Sequence, residues 1–356
     1  MRNADYDAIV IGSGLGGLTA ATSLAQAGQK VLLVERHYNP GGWSQQISIA
    51  GHPFCGGIHY TGELGPGQRM RRFFEDVGVA NEVTFMQMNP RNYDHGACPG
   101  DHFVFGAGRA ELGRRLTERF PREKKGIDAY LRTCETLNRQ WEDCQYLYRT
   151  LRELPTLPFR APTLTRFGLS SFQSLVAAFV DDPRLQWILS TQVMATGLPP
   201  DRLSGVLQAV VVAHFLEGGY YPGEGGHGLV RGFLKAFRKA GGEIKVKAPV
   251  AEILIEGRGG KRRATGIRLE NGSVITAGNV VSNADLPVTF GKLVKPEHMS
   301  RFLRWRVGRV RYSSSCFILY LVIKTDPRRL GLHSGNRYWS EEPDWNRAYH
   351  ACLDPE

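Results

Sequence analysis

No run of apolar residues in this sequence is longer than eight, at residues 316–323. A helix needs about 20 to cross a bilayer, so a membrane-spanning helix is excluded. The six cysteines (Cys55, Cys98, Cys134, Cys144, Cys316 and Cys352) include no C-x-x-C pair. Scattered in this way they suit reduced thiols and not a disulfide scaffold. No secretory leader is expected from the first residues: Asp5 and Asp7 stand where a positive segment should, and glycines at 12, 14, 16 and 17 interrupt the apolar stretch that follows. Cytoplasmic residence is the expectation. The chain shows no internal repeat, no low-complexity tract, and no zinc-finger or RNA-recognition signature, so nucleic acid is not an expected partner.

What is present describes a globular protein of more than one domain. The 356 residues are 42% hydrophobic and 22% charged, near globular averages. At about 100–200 residues per domain, two domains or one large unit with an inserted lobe are expected. Lys and Arg number 45 against 34 Asp and Glu, a net charge of +11 that favours anionic partners. The cations are dispersed except at 301–311, where Arg301, Arg304, Arg306, Arg309 and Arg311 alternate with apolar residues. This stretch reads as a helix with a solvated face and with Leu303, Val307 and Val310 turned inward; an anionic membrane surface is its other use.

Along the chain, 7–11 is a short apolar strand, 15–27 a helix ended by Gly28, and 31–34 a second strand closed by Glu35. That is a β-α-β unit, whose helix supplies the crossover that parallel strands require. Residues 43–62 read as a hairpin and loop turning at Gly51-His52-Pro53. From 107 to 217 the periodicity is helical, with Ile127, Tyr130, Leu131, Cys134 and Leu137 on one stripe. Leu229, Val230, Phe233, Leu234 and Phe237 mark another helix that ends near Gly241-Gly242. Strands follow at 243–247, 250–256, 263–270 and 273–277, with Val280-Val281 as one more and Asn271-Gly272 as a hairpin turn.

Gly12-Ser13-Gly14-Leu15-Gly16-Gly17 fits the pattern G-x-G-x-x-G, placed between a strand and a helix. Gly12 permits the tight turn, Gly14 a close approach of a pyrophosphate, and Gly17 close packing of helix on strand. The helix N-terminus offers free N–H groups and a partial positive charge to phosphates. Glu35, at the end of the second strand, accepts from ribose hydroxyls and repels a 2′-phosphate, so an adenosine diphosphate moiety is expected and NADP is not expected in this first site. His95-x-x-Cys98-x-x-Asp101-His102 holds zinc-ligand types, but a polar surface loop is the expectation there, and no metal site is predicted.

With Arg36-His-Tyr-Asn-Pro-Gly41-Gly42 after Glu35, the sequence resembles an FAD-dependent family that includes amine oxidases, phytoene desaturases, carotenoid isomerases and Rab GDP-dissociation inhibitors. The segment Phe54-Cys-Gly-Gly57-Ile58-His59-Tyr60-Thr-Gly62 looks like that of all-trans-retinol 13,14-reductases. Gly219-Tyr-Tyr-Pro222-Gly-Glu-Gly225-Gly226 and Val280-Val-Ser282-Asn283-Ala284-Asp285 are similar to phytoene desaturases and carotenoid isomerases. The resemblance runs from residue 5 to about 325, whereas members of that family continue well beyond the length of this chain.

The resemblance implies an α/β fold: a Rossmann-type FAD-binding lobe (1–70 and 218–290) with an inserted, largely helical lobe for substrate and membrane contact (71–217 and 291–356). It implies FAD held by Gly12, Ser13, Gly14, Gly16, Gly17, Glu35, Arg36, Gly41 and Gly42, with Val250 near the adenine, and NAD(P) as a candidate electron partner. His59 and Tyr60 fall beside the flavin ring as candidate proton donors. The implied activity is saturation, desaturation or isomerisation of C=C bonds in a polyisoprenoid polyene, with peripheral contact to an anionic membrane. A prenyl-binding protein of the GDP-dissociation-inhibitor type and a flavin amine oxidase are the alternatives.

Overall fold

The computed structural model describes residues 4–58, 60–147, 151–257, 259–332 and 335–353. They form two compact units. The first comprises the described residues within Met1–Tyr60, Gly65–Met86 and Tyr221–Tyr312, and the second those within Thr61–Leu64, Gln87–Tyr220 and Ser313–Glu356.

The first unit is built on a six-stranded sheet. Its centre is β1 (Tyr6–Ile11), followed by helix α1 (Leu15–Gln26) and β2 (Val31–Val34), with β2 parallel to β1. All four residues of β2 and the last four of β1 are buried, as strands covered on both faces require. Strand Glu243–Lys245 adds parallel to β2 on one side. On the other, Val274–Ser282 lies parallel to β1, and Arg263–Leu269 and Val250–Glu256 continue the sheet antiparallel. Helix Gly225–Lys239 packs on α1 and buries Val230, Phe233 and Phe237.

Two expectations are corrected in this unit. Residues 273–277 and 280–281 belong to one strand, Val274–Ser282. Its first part pairs antiparallel with Arg263–Leu269 and its second part parallel with β1, and the Asn271-Gly272 turn leads into it. Helix Arg69–Asp76 and the chain as far as Tyr312 also lie in the first unit, beyond the expected limits at 70 and 290. Packing explains both: the Phe74 ring sits 5.0 Å from Phe85 and 6.2 Å from Phe233, and the Tyr312 hydroxyl donates to Asp285 at 2.5 Å.

The second unit is mainly helical. Helix Lys124–Leu147 packs against Gly205–Phe215, and its sequence stripe of Ile127, Tyr130, Leu131, Cys134 and Leu137 is wholly buried. Burial pushes the Cys134 thiol up to about 12, which makes it an apolar core group and not a nucleophile. All six cysteines are unpaired. The segment from His95 to His102, expected as a polar surface loop, instead lies in a hairpin (Asp94–Cys98 with Asp101–Phe105) joined by strand Asn336–Trp339. Asp94 is buried there because Gln192 Nε2 and Asn336 Nδ2 both donate to it at 2.9 Å. His95 and His102 contact each other at 3.1 Å, but no group of three metal-ligand types gathers among the described residues.

No helix among the described residues is long and apolar enough to cross a membrane. Helix Arg301–Val307 is short and starts at Ser300, whose hydroxyl accepts from the Leu303 N–H at 3.1 Å. Leu303 and Val307 are half-buried as expected, while Val310 lies beyond the helix and is exposed.

Candidate functional site

The glycine-rich turn, Glu35 and the Gly41-Gly42 pair are remote in sequence and adjacent in the first unit. They meet at the carboxyl ends of the parallel strands, the edge where open α/β sheets bind ligands. β1 runs into Gly12, whose N–H donates to the Val34 carbonyl of β2 at 2.8 Å. A Cβ on Gly17 would stand 1.9 Å from the Gly12 carbonyl oxygen, so only glycine lets α1 leave the strand so closely. Gly41 has φ +123, a conformation that side chains resist, and a Cβ on Gly42 would reach to 3.1 Å from Gly14 Cα. The Gly41-Gly42 backbone therefore lies directly against the first turn.

Ser13 ties these segments together. It is fully buried; its hydroxyl donates to Glu35 Oε2 at 2.5 Å and accepts the Gly41 N–H at 3.0 Å. The Ser13 N–H also donates to Glu35 Oε2, at 2.9 Å, and the His37 N–H donates to Oε1 at 2.8 Å. A carboxylate oxygen accepts about two hydrogen bonds, so Oε2 is filled and Oε1 keeps capacity for one more donor. Such a donor is what a ribose hydroxyl offers.

The site also fits a phosphate. Gly14 precedes α1 with no side-chain cap and no acidic residue stands in the first helical turn, leaving the N–H groups of the helix end open to an anion. Beside Glu35, its carbonyl accepts the Ala248 N–H at 2.9 Å, which brings the strand that begins at Val250 alongside; Val250 itself is half-buried against the core of the sheet. Arg36 is exposed, and the backbone of His37, one residue on, is what contacts Glu35. Gly16 is exposed, and its Cβ direction, like that of Gly14, meets only the Asn283 side chain.

Of the two candidate proton donors, Tyr60 is half-buried and His59 lies outside the described residues. The second unit contains an arrangement that sequence reasoning missed. His214 accepts the Gly62 N–H at Nε2 (2.8 Å), with Thr61 Oγ1 3.2 Å from the same nitrogen. A backbone N–H can only donate, so Nε2 is the acceptor, and Nδ1 carries the proton it gives to Glu63 at 2.9 Å. Asn138 completes the group by donating to Glu63 at 3.2 Å. With both ring nitrogens occupied, His214 is a clamp on residues 61–63 and not a free base. A lone histidine 151 residues from its carboxylate partner carries no sequence signal.

The chain is similar to known proteins over most of its length. The family model described as flavin containing amine oxidoreductase matches residues 15–346. The chain is 29% identical to all-trans-retinol 13,14-reductase of Rattus norvegicus over 358 residues, covering 96% of this chain and 58% of that protein. It is 31% identical to chloroplastic prolycopene isomerase of Daucus carota over 321 residues, covering 84% and 49%. Thus the chain spans about half of the length of the curated relatives it matches. An oxidoreductase from Methanosarcina mazei shares the fold at TM-score 0.60 and 19% identity, over 85% of this chain and 65% of that one.

Proposed function

Because the chain belongs to the flavin containing amine oxidoreductase family, we propose that it is the FAD-binding part of an oxidoreductase acting on C=C bonds of a polyisoprenoid polyene. The observation that supports the cofactor is the Ser13–Glu35–Gly41 network, which holds a glycine turn, a carboxylate with spare acceptor capacity and a second glycine pair in one place. FAD held there supplies hydride exchange with a substrate carbon. The chain's own residues bind and orient: α1 and Gly41-Gly42 at the phosphates, Glu35 at the ribose, and Tyr60 or His59 as the group that moves a proton at the neighbouring carbon. The polyene class is supported by the relatives named retinol reductase and prolycopene isomerase, and it favours saturation or isomerisation, with desaturation as the reverse redox sense. A nicotinamide nucleotide is the proposed electron source.

The test is anaerobic. Protein reconstituted with FAD and reduced by dithionite should be reoxidised by all-trans-retinol or a carotenoid, and NADPH or NADH should bleach the oxidised form. Bleaching by primary amines, with peroxide released in air and no response to polyenes, would make the chain an amine oxidase.

Such substrates dissolve in lipid, so contact with a membrane surface is part of the same reading. Phe302 and Trp305 are 65% and 53% exposed and stack on each other at 5.9 Å. Arg306 lies over Phe302 at 5.9 Å and Arg309 over Trp305 at 4.4 Å. Aromatic rings flanked by arginines suit the interface of an anionic bilayer. Co-sedimentation with phosphatidylserine-containing vesicles should fall steeply between low and physiological salt, because the attraction is screened. The double variant Phe302→Ala, Trp305→Ala should weaken it at every salt concentration. Equal binding to neutral and anionic vesicles would remove charge from the account.

A further inference from the structure

Asn283 is the first residue beyond strand Val274–Ser282, and its N–H donates to the Ile11 carbonyl at 2.8 Å. That bond extends the parallel ladder by one step, to the point where β1 turns into Gly12. The side chain consequently projects over the glycine turn. Its Nδ2 is 2.9 Å from where a Cβ on Gly14 would stand, its Oδ1 is 2.6 Å from that of Gly16, and its own Cβ is 3.1 Å from that of Gly17. Two of the four turn glycines thus leave room for one carboxamide. Asn283 is exposed, and its carboxamide has no hydrogen-bond partner among the described residues. Its hydrogen-bonding capacity is unspent.

The charge around it explains what that capacity is for. A pyrophosphate brings negative charge to the turn, yet residues 12–20 contain no Lys or Arg, so the turn itself offers the phosphates no cationic side chain. The Asn283 carboxamide stands over Gly14, the position at which the motif admits a pyrophosphate, and a half-turn of the amide brings its NH2 to either side of the turn. We infer that Asn283 is a phosphate-binding residue of the dinucleotide site, donating from its carboxamide to the pyrophosphate across the glycine turn. This rests on the FAD reading above and assigns to the site a residue from the strand on the far side of β1, outside the motif itself.

Titration of the purified chain with ADP and with FAD, followed by calorimetry and flavin fluorescence, tests it in variants whose backbone bond to Ile11 is untouched. Asn283→Ala should weaken both ligands roughly tenfold, the loss of one hydrogen bond to a charged acceptor. Asn283→Asp should weaken them by roughly a hundredfold, since a carboxylate replaces the donor beside the phosphates, and added salt should recover part of that loss. Asn283→Ser, which keeps a donor, should fall between wild type and Asn283→Ala. Thermal melts of the apo-proteins should coincide, separating ligand contact from folding. Wild-type affinity in both the Ala and Asp variants overturns the inference while leaving the FAD site standing. Absence of ADP and FAD binding in the wild type overturns the FAD reading and the inference with it.

Discussion

Gly17→Ala should abolish measurable retention of FAD and weaken ADP by more than about a hundredfold, the largest effect expected from any single methyl group in the first unit. The added Cβ would lie 1.9 Å from the Gly12 carbonyl oxygen and 3.1 Å from Asn283 Cβ. Backbone cannot yield as a side chain does. Either α1 swings away from β1 or the turn reshapes, and both displace the helix end that faces the phosphates. Gly16→Ala is the internal control, because its Cβ meets only the movable end of Asn283 at 2.6 Å. It should cost at most the roughly tenfold in ADP affinity expected of Asn283→Ala, about 1.4 kcal/mol, because the carboxamide can turn aside where backbone cannot. Isothermal titration of both variants with ADP, alongside their melting curves, reads the contrast. Equal affinities in the two would mean that close packing of α1 on β1 is not what Gly17 provides.

The parts of this site that could be read from the sequence are those in which one local pattern has one cause. The β1–α1–β2 unit is legible because short, fully buried parallel strands leave uninterrupted apolar runs, and because Gly12 and Gly28 mark its turns. Strand Val274–Ser282 resists such reading. It changes partners midway, and Gly278-Asn279 in its second half looks like a break in a chain that is in fact paired to β1. The 94–105 hairpin is obscured by its polarity: Asp94 looks like a surface residue until Gln192 and Asn336, 98 and 242 residues away, are seen to satisfy it. His214 and Asn283 act through neighbours that only tertiary structure supplies. Glu35 was visible from its spacing, whereas the tie to Ser13 and Gly41 was not, since G-x-G says nothing about the residue between its glycines.

That tie decides how Glu35 variants should behave. The carboxylate is 8% exposed and receives the Ser13 N–H, the Ser13 hydroxyl and the His37 N–H. Glu35→Ala therefore removes the proposed ribose acceptor and also strands donors on a fully buried Ser13. ADP affinity should drop by about 1–3 kcal/mol, and the apo-protein should lose stability by a similar amount, because unsatisfied buried donors carry their full desolvation cost. Glu35→Gln separates the two effects. Its amide oxygen can still serve Ser13, but its NH2 then faces the His37 N–H, donor against donor, and the formal charge is gone. Stability should fall less than in the alanine variant, while discrimination between ADP and its 2′-phosphorylated form should shrink, since repulsion of a 2′-phosphate depends on the charge. The ratio of the two dissociation constants, measured in wild type and Glu35→Gln, is the deciding quantity. If the ratio stays unchanged while stability drops, Glu35 is a brace for the turn and the ribose is recognised elsewhere.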